Sequence, residues 1–315
     1  MEKAKLYIVV PCYNEEEALP VTGPKLILHL QKLVADGEVA EGSRVVFVND
    51  GSKDGTWDVI SKLHDEYREA VGLCLAHNRG HQNALMAGLM YSMEHADVTI
   101  SIDADLQQDI NAMSLFLAEY YKGCDIVFGV RNSRDTDSFF KKTTAGAFYA
   151  FCKWMGCDLY ANSADYRLMS ANALRALSEY GEVNLFLRGI IPSLGFDTSV
   201  VNFDVSPRLQ GESKYSFKMM LNLAMNGITA FSIKPIRMVF ALGVIAVIVA
   251  IGMVIHILID HFCGYTVDGW SSILASIWIL GGNILLSLGI IGEYVGRNYM
   301  ETKNRPRYFI SKTLD

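Results

Sequence analysis

The chain has 315 residues, enough for one large domain or two modest ones. Its net charge of -6 gives no basis for nucleic-acid binding. Hydrophobic residues make up 51% of it, and the excess gathers toward the C-terminus.

Met1 to Lys5 lead straight into a strand-like run and not into the h-region of a signal peptide. The six cysteines (12, 74, 124, 152, 157 and 263) show no metal-binding spacing and read as reduced thiols of a protein whose bulk faces the cytosol.

Leu6 to Val10 is the first predicted strand. Pro11 stops its ladder, Asn14 is placed to cap a helix, and Glu15 to Glu17 suit that helix's first turn, with the helix running toward Ala35. Val45 to Val48 is the second strand and leads into Asn49-Asp50-Gly51-Ser52-Lys53-Asp54-Gly55-Thr56. There the Asp and Ser side chains either bond nearby amides in a turn, or Asp50 accepts hydrogen bonds from a nucleobase. A helix over about 56–68, a third strand at 71–75 and a helix through His95 follow. His77 and His81 are four apart with Gly80 between them and no third ligand near, which argues against zinc.

The fourth strand, Val98 to Ile102, breaks into Asp103-Ala104-Asp105-Leu106-Gln107. Ionised Asp does not fit a buried strand, so the strand ends there and sets two carboxylates at the C-terminal edge of a sheet, where open α/β sheets bind ligands. Asp103, Asp105 and Gln107 suit a hard cation, Mg2+ or Mn2+, that also grips a diphosphate. A helix over about 111–122 and a fifth strand at 126–130 complete a pattern that predicts a mostly parallel sheet with right-handed crossovers. No GxGxxG follows the first strand and no P-loop motif occurs.

Beyond the fifth strand, Arg131 and Arg134 are either solvated or clamps for phosphate. Phe148, Phe151, Cys152 and Met155 share one helical face and read as packing. Asn162 to Ser170 reads as a polar segment entering a short helix, with Asp165 either its cap or a second active-site carboxylate. Pro207 to Tyr215 is a basic loop that is either a surface turn or a closing loop whose Arg208 and Lys214 meet phosphate oxygens. An amphipathic segment near 214–228 follows.

Met238 to Ile259 contains no Asp, Glu, Lys or Arg, and Ser271 to Gly292 has no ionisable side chain at all. Each is about 33 Å long as a helix, enough to cross a bilayer. Lys234 and Arg237 precede the first span, and Arg297, Lys303, Arg305 and Arg307 follow the second. The positive-inside rule puts both termini in the cytoplasm. Asn283 sits mid-span.

Taken in order, Pro11-x-Tyr13-Asn14-Glu15, Asn49-Asp50-Gly51-Ser52, Asn78-Arg79-Gly80-His81-Gln82 and Asp103-x-Asp105-Leu106-Gln107 resemble a family-2 glycosyltransferase of GT-A fold. Asp165-Tyr166-Arg167-Leu168, Arg208-x-x-Gly211-x-Ser213-Lys214-Tyr215 and the two spans narrow the resemblance to bacterial polyisoprenyl-phosphate glycosyltransferases, relatives of dolichol-phosphate mannose synthase. Tyr166 stands where that family usually has Phe.

The resemblance implies an α/β fold with a Rossmann-like, mostly parallel sheet. A cytoplasmic catalytic domain would span 1–233, two transmembrane helices about 236–259 and 270–292, and a cytoplasmic basic tail 297–315. It implies a nucleoside pocket of Pro11, Tyr13, Glu15, Asp50 and Asp103. Asp103, Asp105 and Gln107 would hold Mg2+ or Mn2+, and Arg131, Arg208 and Lys214 would meet phosphate. Asp105 and Asp165 would be the catalytic carboxylates. The implied reaction is inverting transfer of one sugar, UDP-linked by the same resemblance, to polyprenyl phosphate at the bacterial inner membrane, by a chain able to form homo-oligomers. A polysaccharide synthase would carry Gln-x-x-Arg-Trp and more spans. A silent nucleotide-sugar-binding membrane protein would not need the paired carboxylates and the basic loop.

Overall fold

In a computed structural model of the chain, which describes residues 3–132, 163–183, 185–204, 234–262 and 269–315, the apolar runs form the strands their composition predicts. These are β1 (Leu6–Cys12), β2 (Arg44–Asn49), β3 (Ala70–Leu75), β4 (Val98–Ser101) and β5 (Ile126–Arg131). The expectations for Arg208, Lys214, the helical face at 148–155 and the amphipathic segment near 214–228 lie outside the described residues.

Three further strands, β6 (Ser163–Ser170), β7 (Thr198–Phe203) and β8 (Ile310–Leu314), complete one sheet of order β7-β5-β6-β4-β1-β2-β3-β8. The centre, β3-β2-β1-β4, is parallel, and β5 and β7 run the same way. Only β6, between β4 and β5, and β8, on the outer edge of β3, run against it.

Helices cover both faces, which is why the central strands read as continuous apolar runs rather than as alternations. Leu6, Ile8 and Val10 of β1 face a core shared with α1 (Leu19–Ala35), α2 (Thr56–Glu66) and α4 (Ala112–Tyr121). Tyr7 and Val9 face α3 (His81–Met93), α5 (Ala171–Ser178) and α6 (Leu187–Ser193). Gly88 lets α3 ride close on the sheet, since a Cβ there would stand 2.4 Å from Val9 Cγ1 and 2.9 Å from Val48 Cγ2.

Three expectations need correction. Pro11 does not end β1, which continues through Cys12; it falls past the point where the β1–β4 ladder stops, at Val9 and Ser101, so its missing N–H breaks no bond there. Asn14 does not cap α1, which starts at Leu19; Asn14 has φ 54° and serves the neighbouring loop instead. Residues 163–170 are a strand rather than a polar lead-in, although the short helix α5 does follow, capped by Ser170 Oγ on the Ala173 N–H at 3.1 Å. Within the expected basic tail, residues 310–314 form β8.

The C-terminal part holds two long helices, α7 (Lys234–Phe262) and α8 (Trp270–Thr302). Among the described residues, one stretch, Ile279–Thr302 of α8, is long and apolar enough to cross a membrane, and none of its apolar window is buried. The expected second span, 270–292, falls within α8. At its C-terminal end and beyond, the chain is bonded to the sheet domain. Glu301 Oε2 accepts the Val183 N–H at 2.7 Å. Arg307 donates Nε to Glu182 O at 2.9 Å and a second N–H to Tyr180 O. Phe309 O accepts the Ala76 N–H at 2.9 Å just before β8 begins.

Candidate active site

The site is built at the C-terminal ends of β1, β2, β3 and β4, where loops 13–18, 50–55, 76–80 and 102–111 emerge side by side. Small polar side chains lace the first two together. Ser52 Oγ accepts the Asn14 N–H at 3.0 Å, Asn14 Oδ1 accepts the Lys53 N–H at 3.0 Å, and Glu16 Oε2 accepts the Gly55 N–H at 2.8 Å. Thr56 Oγ1 takes the Glu15 N–H at 2.9 Å. Tyr13 is left 42% exposed at this edge, while Pro11 is buried beneath it.

Asp50, 2% exposed, joins the third loop to the second. Its two carboxylate oxygens accept the backbone N–H groups of Arg79 at 2.7 Å and Gly80 at 2.9 Å. Burial pushes its carboxyl above the usual range, and these two donors oppose the shift. These amides belong to the loop after β3, not to the turn after β2 that one of the sequence readings expected. Gly51, φ 58°, permits the approach: a Cβ would lie 2.5 Å from Asn78 N and from His77 C.

Asp103 and Asp105 follow β4 as predicted. Gln108 Nε2 donates to Asp103 Oδ2 at 2.5 Å, and Asp105 Oδ1 accepts the Gln107 N–H at 3.2 Å. The adjacent glutamine, Gln108, is thus the residue that orients Asp103. Among the described residues no group of three His, Cys, Asp or Glu side chains is arranged to hold a metal. Two carboxylates at a sheet edge are nonetheless a donor set that fits Mg2+ or Mn2+, ions that take one or two carboxylates and complete their shell with substrate phosphates and water.

Asp165, on β6, sits one strand away at the same edge. Its side chain is 11% exposed and ringed by cations. Arg167 Nη2 lies at 2.5 Å from Oδ1; Arg188 of α6 reaches Oδ2 with Nη2 at 3.0 Å and Oδ1 with Nε at 3.3 Å. His81, the first residue of α3, stands between Asp165 Oδ2 at 3.5 Å and Asp103 Oδ1 at 3.8 Å. Burial alone would raise the Asp165 carboxyl, but Arg188, His81 and Arg167 outweigh it and hold it well below the usual carboxylate range. Burial would lower the His81 imidazole, and Asp165 and Asp103 reverse that, so it is raised.

The structure therefore brings Tyr13, Asp50, Asp103, Asp105 and Asp165 to one edge. Arg131 is there too, exposed at the end of β5. Sequence reading missed Arg188 and Gln108. For Arg188 a signal existed: a lone guanidinium among Leu187, Ile190 and Ile191, all buried, needs an anionic partner.

The family model described as "Glycosyl transferase family 2" matches residues 7–177. The chain is 46% identical to an uncharacterized glycosyltransferase, YkoT, of Bacillus subtilis over 98% of this chain and 92% of that one. It is 36% identical to a prophage bactoprenol glucosyl transferase homolog of Escherichia coli, over 98% and 99% of the two chains. It is 37% identical to the bactoprenol glucosyl transferase of Shigella phage SfII, over 98% of each.

Proposed function

Because the chain belongs to glycosyltransferase family 2, we propose that it moves one sugar from a nucleotide sugar to polyprenyl phosphate at the cytoplasmic face of a bacterial inner membrane. The observation that carries this reading is the pair Asp103 and Asp105 at the sheet edge beside Asp165, in a domain stitched through Glu301 and Arg307 to an exposed apolar helix. The names of relatives aligned over nearly the whole chain, bactoprenol glucosyl transferases, support a lipid acceptor.

In this reading α7 is a second membrane span, both termini are cytoplasmic, and the segment near 214–228 lies on the bilayer surface. Asn283 and the glycines at 281, 282, 289 and 292 offer a face for association between copies. The nucleoside rests against Pro11, Tyr13, Glu15, Asp50 and Asp103. Asp103, Asp105 and Gln107 would hold Mg2+ or Mn2+, and the ion would supply positive charge to offset that of the departing diphosphate. The donor is UDP-linked. Arg131, Arg208 and Lys214 meet phosphate oxygens.

The acceptor oxygen attacks the anomeric carbon opposite the leaving group, inverting it. A phosphate nucleophile is already ionised at neutral pH, so no strong base is required. Asp165, held ionised by two guanidiniums, orients its neighbours rather than collecting a proton. Confinement at headgroup depth turns a search in three dimensions into one in two.

The test is a panel of purified protein, undecaprenyl phosphate, Mg2+ or Mn2+ and each nucleotide sugar in turn, with the lipid product weighed by mass spectrometry. One added sugar is expected, and chelation should stop the reaction. Asp105→Ala should abolish transfer while the protein still inserts into membranes; normal turnover by that variant would remove the metal assignment. A ladder of products would replace single transfer with polymer synthesis.

A further inference from the structure

The loop between α5 and α6 has little structure of its own. Residues 180–182 and 185–186 lie in neither helix nor strand. Three of its backbone polar groups are satisfied instead by side chains 118 to 127 residues further along the chain. Arg307 donates to the carbonyl oxygens of Tyr180 and Glu182, and Glu301 Oε2 accepts the Val183 N–H at 2.7 Å. Arg307 holds the entry of the loop, and Glu301 its exit toward α6. Glu301 stands in the last turn of α8, where a carboxylate faces the negative end of the helix dipole and is disfavoured. Just past that turn Asn304, at φ 44°, bends the chain away with its N–H on Glu301 O at 2.9 Å. A residue set against its local preference points to a role elsewhere, and the Val183 N–H supplies one.

That role leads to the carboxylate cluster. Beyond Val183 the chain buries Leu185, Phe186 and Leu187 and then presents Arg188. Gln82 Oε1, next to His81 at the start of α3, accepts the Leu187 N–H at 3.1 Å. Arg188 meets Asp165 with Nη2 at 3.0 Å from Oδ2 and Nε at 3.3 Å from Oδ1. A close-packed interior transmits a displacement rather than absorbing it, so a shift at Val183 is carried into α6. Arg188 keeps 27% of its side chain exposed, against 2% for Arg167. Of the two guanidiniums on Asp165, it is the one held less by burial and more by where its backbone stands.

We propose that Glu301 is a positioning residue for sugar transfer: by holding the Val183 N–H it sets α6, and through α6 the approach of Arg188 to Asp165. The last turn of α8 then shapes the catalytic edge as well as anchoring the domain that carries it. The inference rests on the proposed glycosyl transfer, in which Asp165 orients its neighbours.

The test is a double-mutant cycle on kcat/KM, with full-length protein in detergent, undecaprenyl phosphate and each nucleotide sugar in turn. Glu301→Ala should lower kcat/KM about tenfold, the scale of loss that a slight misplacement far from the chemistry produces. Glu301→Gln, which keeps an oxygen for the Val183 N–H, should stay within about threefold of wild type. Glu301→Asp, which keeps the charge but falls short of that N–H, should drop with the alanine variant, and it carries the test if alanine prevents folding. Arg188→Lys lowers kcat/KM by itself, and adding Glu301→Ala to it should cost less than about twofold more, because Glu301 acts through the arginine. Losses that multiply in the folded double variant, or an aspartate variant as active as wild type, would overturn the positioning role. Wild-type protein that transfers no sugar would overturn the functional reading, and Glu301 is then judged by amide exchange over 185–193. Faster exchange in Glu301→Asp would retain its hold on α6, and unchanged exchange would remove that too.

Discussion

Tyr166 donates its hydroxyl to the carbonyl oxygen of Asp109 across 3.0 Å, tying the interior of β6 to the loop that carries the paired carboxylates. The ring is fully buried, stacked at an angle on Phe116 and edge-on to Phe203. Burial sends the phenol pKa well upward, so it remains a donor throughout the accessible range.

Tyr166→Phe should keep the packing and lose only this bond. The Asp109 carbonyl also accepts the Ala112 N–H at 3.2 Å, so it is not orphaned. The expected cost is about 1 kcal/mol in denaturant unfolding. A looser 103–109 loop should also raise the metal concentration needed for half-maximal transfer. An unaltered metal titration would show that the loop holds its shape without the hydroxyl.

Asp165→Asn should damage stability as well as activity. It removes the carboxylate that Arg167 and Arg188 share, a loss of about 3–5 kcal/mol. The wild-type pH profile follows from the same contacts. A carboxyl depressed in the folded state contributes its full stability above its unfolded pKa of about 3.9, and that stability drains away as pH falls toward the native value. Thermal melts should therefore show an acid limb starting near pH 4 that is shallower in Asp165→Asn.

Gly51→Ala should separate the loops after β2 and β3. The new methyl carbon would meet backbone atoms of His77 and Asn78 at a positive φ. The expected destabilisation is about 2 kcal/mol or more, and nucleotide binding should weaken with it. A variant that binds UDP like wild type would mean the two loops can part without cost to the pocket.

Arg307→Ala should loosen the tail without touching the sheet edge that carries the carboxylates. It removes the bonds to Glu182 and Tyr180, worth about 1–2 kcal/mol locally. Faster amide exchange is expected across 310–314 and in β3, which pairs with it. Arg305→Ala, at an exposed neighbouring position, serves as the control and should leave exchange unchanged.

What could be read from the sequence tracks how local each cause is. β1 to β5 announce themselves because a strand buried on both faces must be apolar along its length, and the carboxylates of Asp103 and Asp105 mark where β4 leaves that environment. β6 hides for the converse reason. Asp165 and Arg167 form an ion pair at the end of the strand, and a strand with a buried ion pair looks like a loop in one dimension. β8 is short and exposed on its faces, and only its distant partner β3 makes it a strand. The choice of Gln108 over Gln107 as the partner of Asp103 depends on a backbone twist, Leu106 at φ 45°, that no side-chain pattern encodes.

The pairing of β8 with β3 also bears on how the molecule is made. Residues 70–75 emerge during synthesis long before 310–314, with both long helices between them. Until α8 has been laid down, the outer edge of β3 has no native partner and offers its backbone groups to any passing strand. Assembly of the sheet is therefore finished by β8, after both long helices, and a nascent chain whose α8 is misplaced should be recognisable by an unsealed edge at β3.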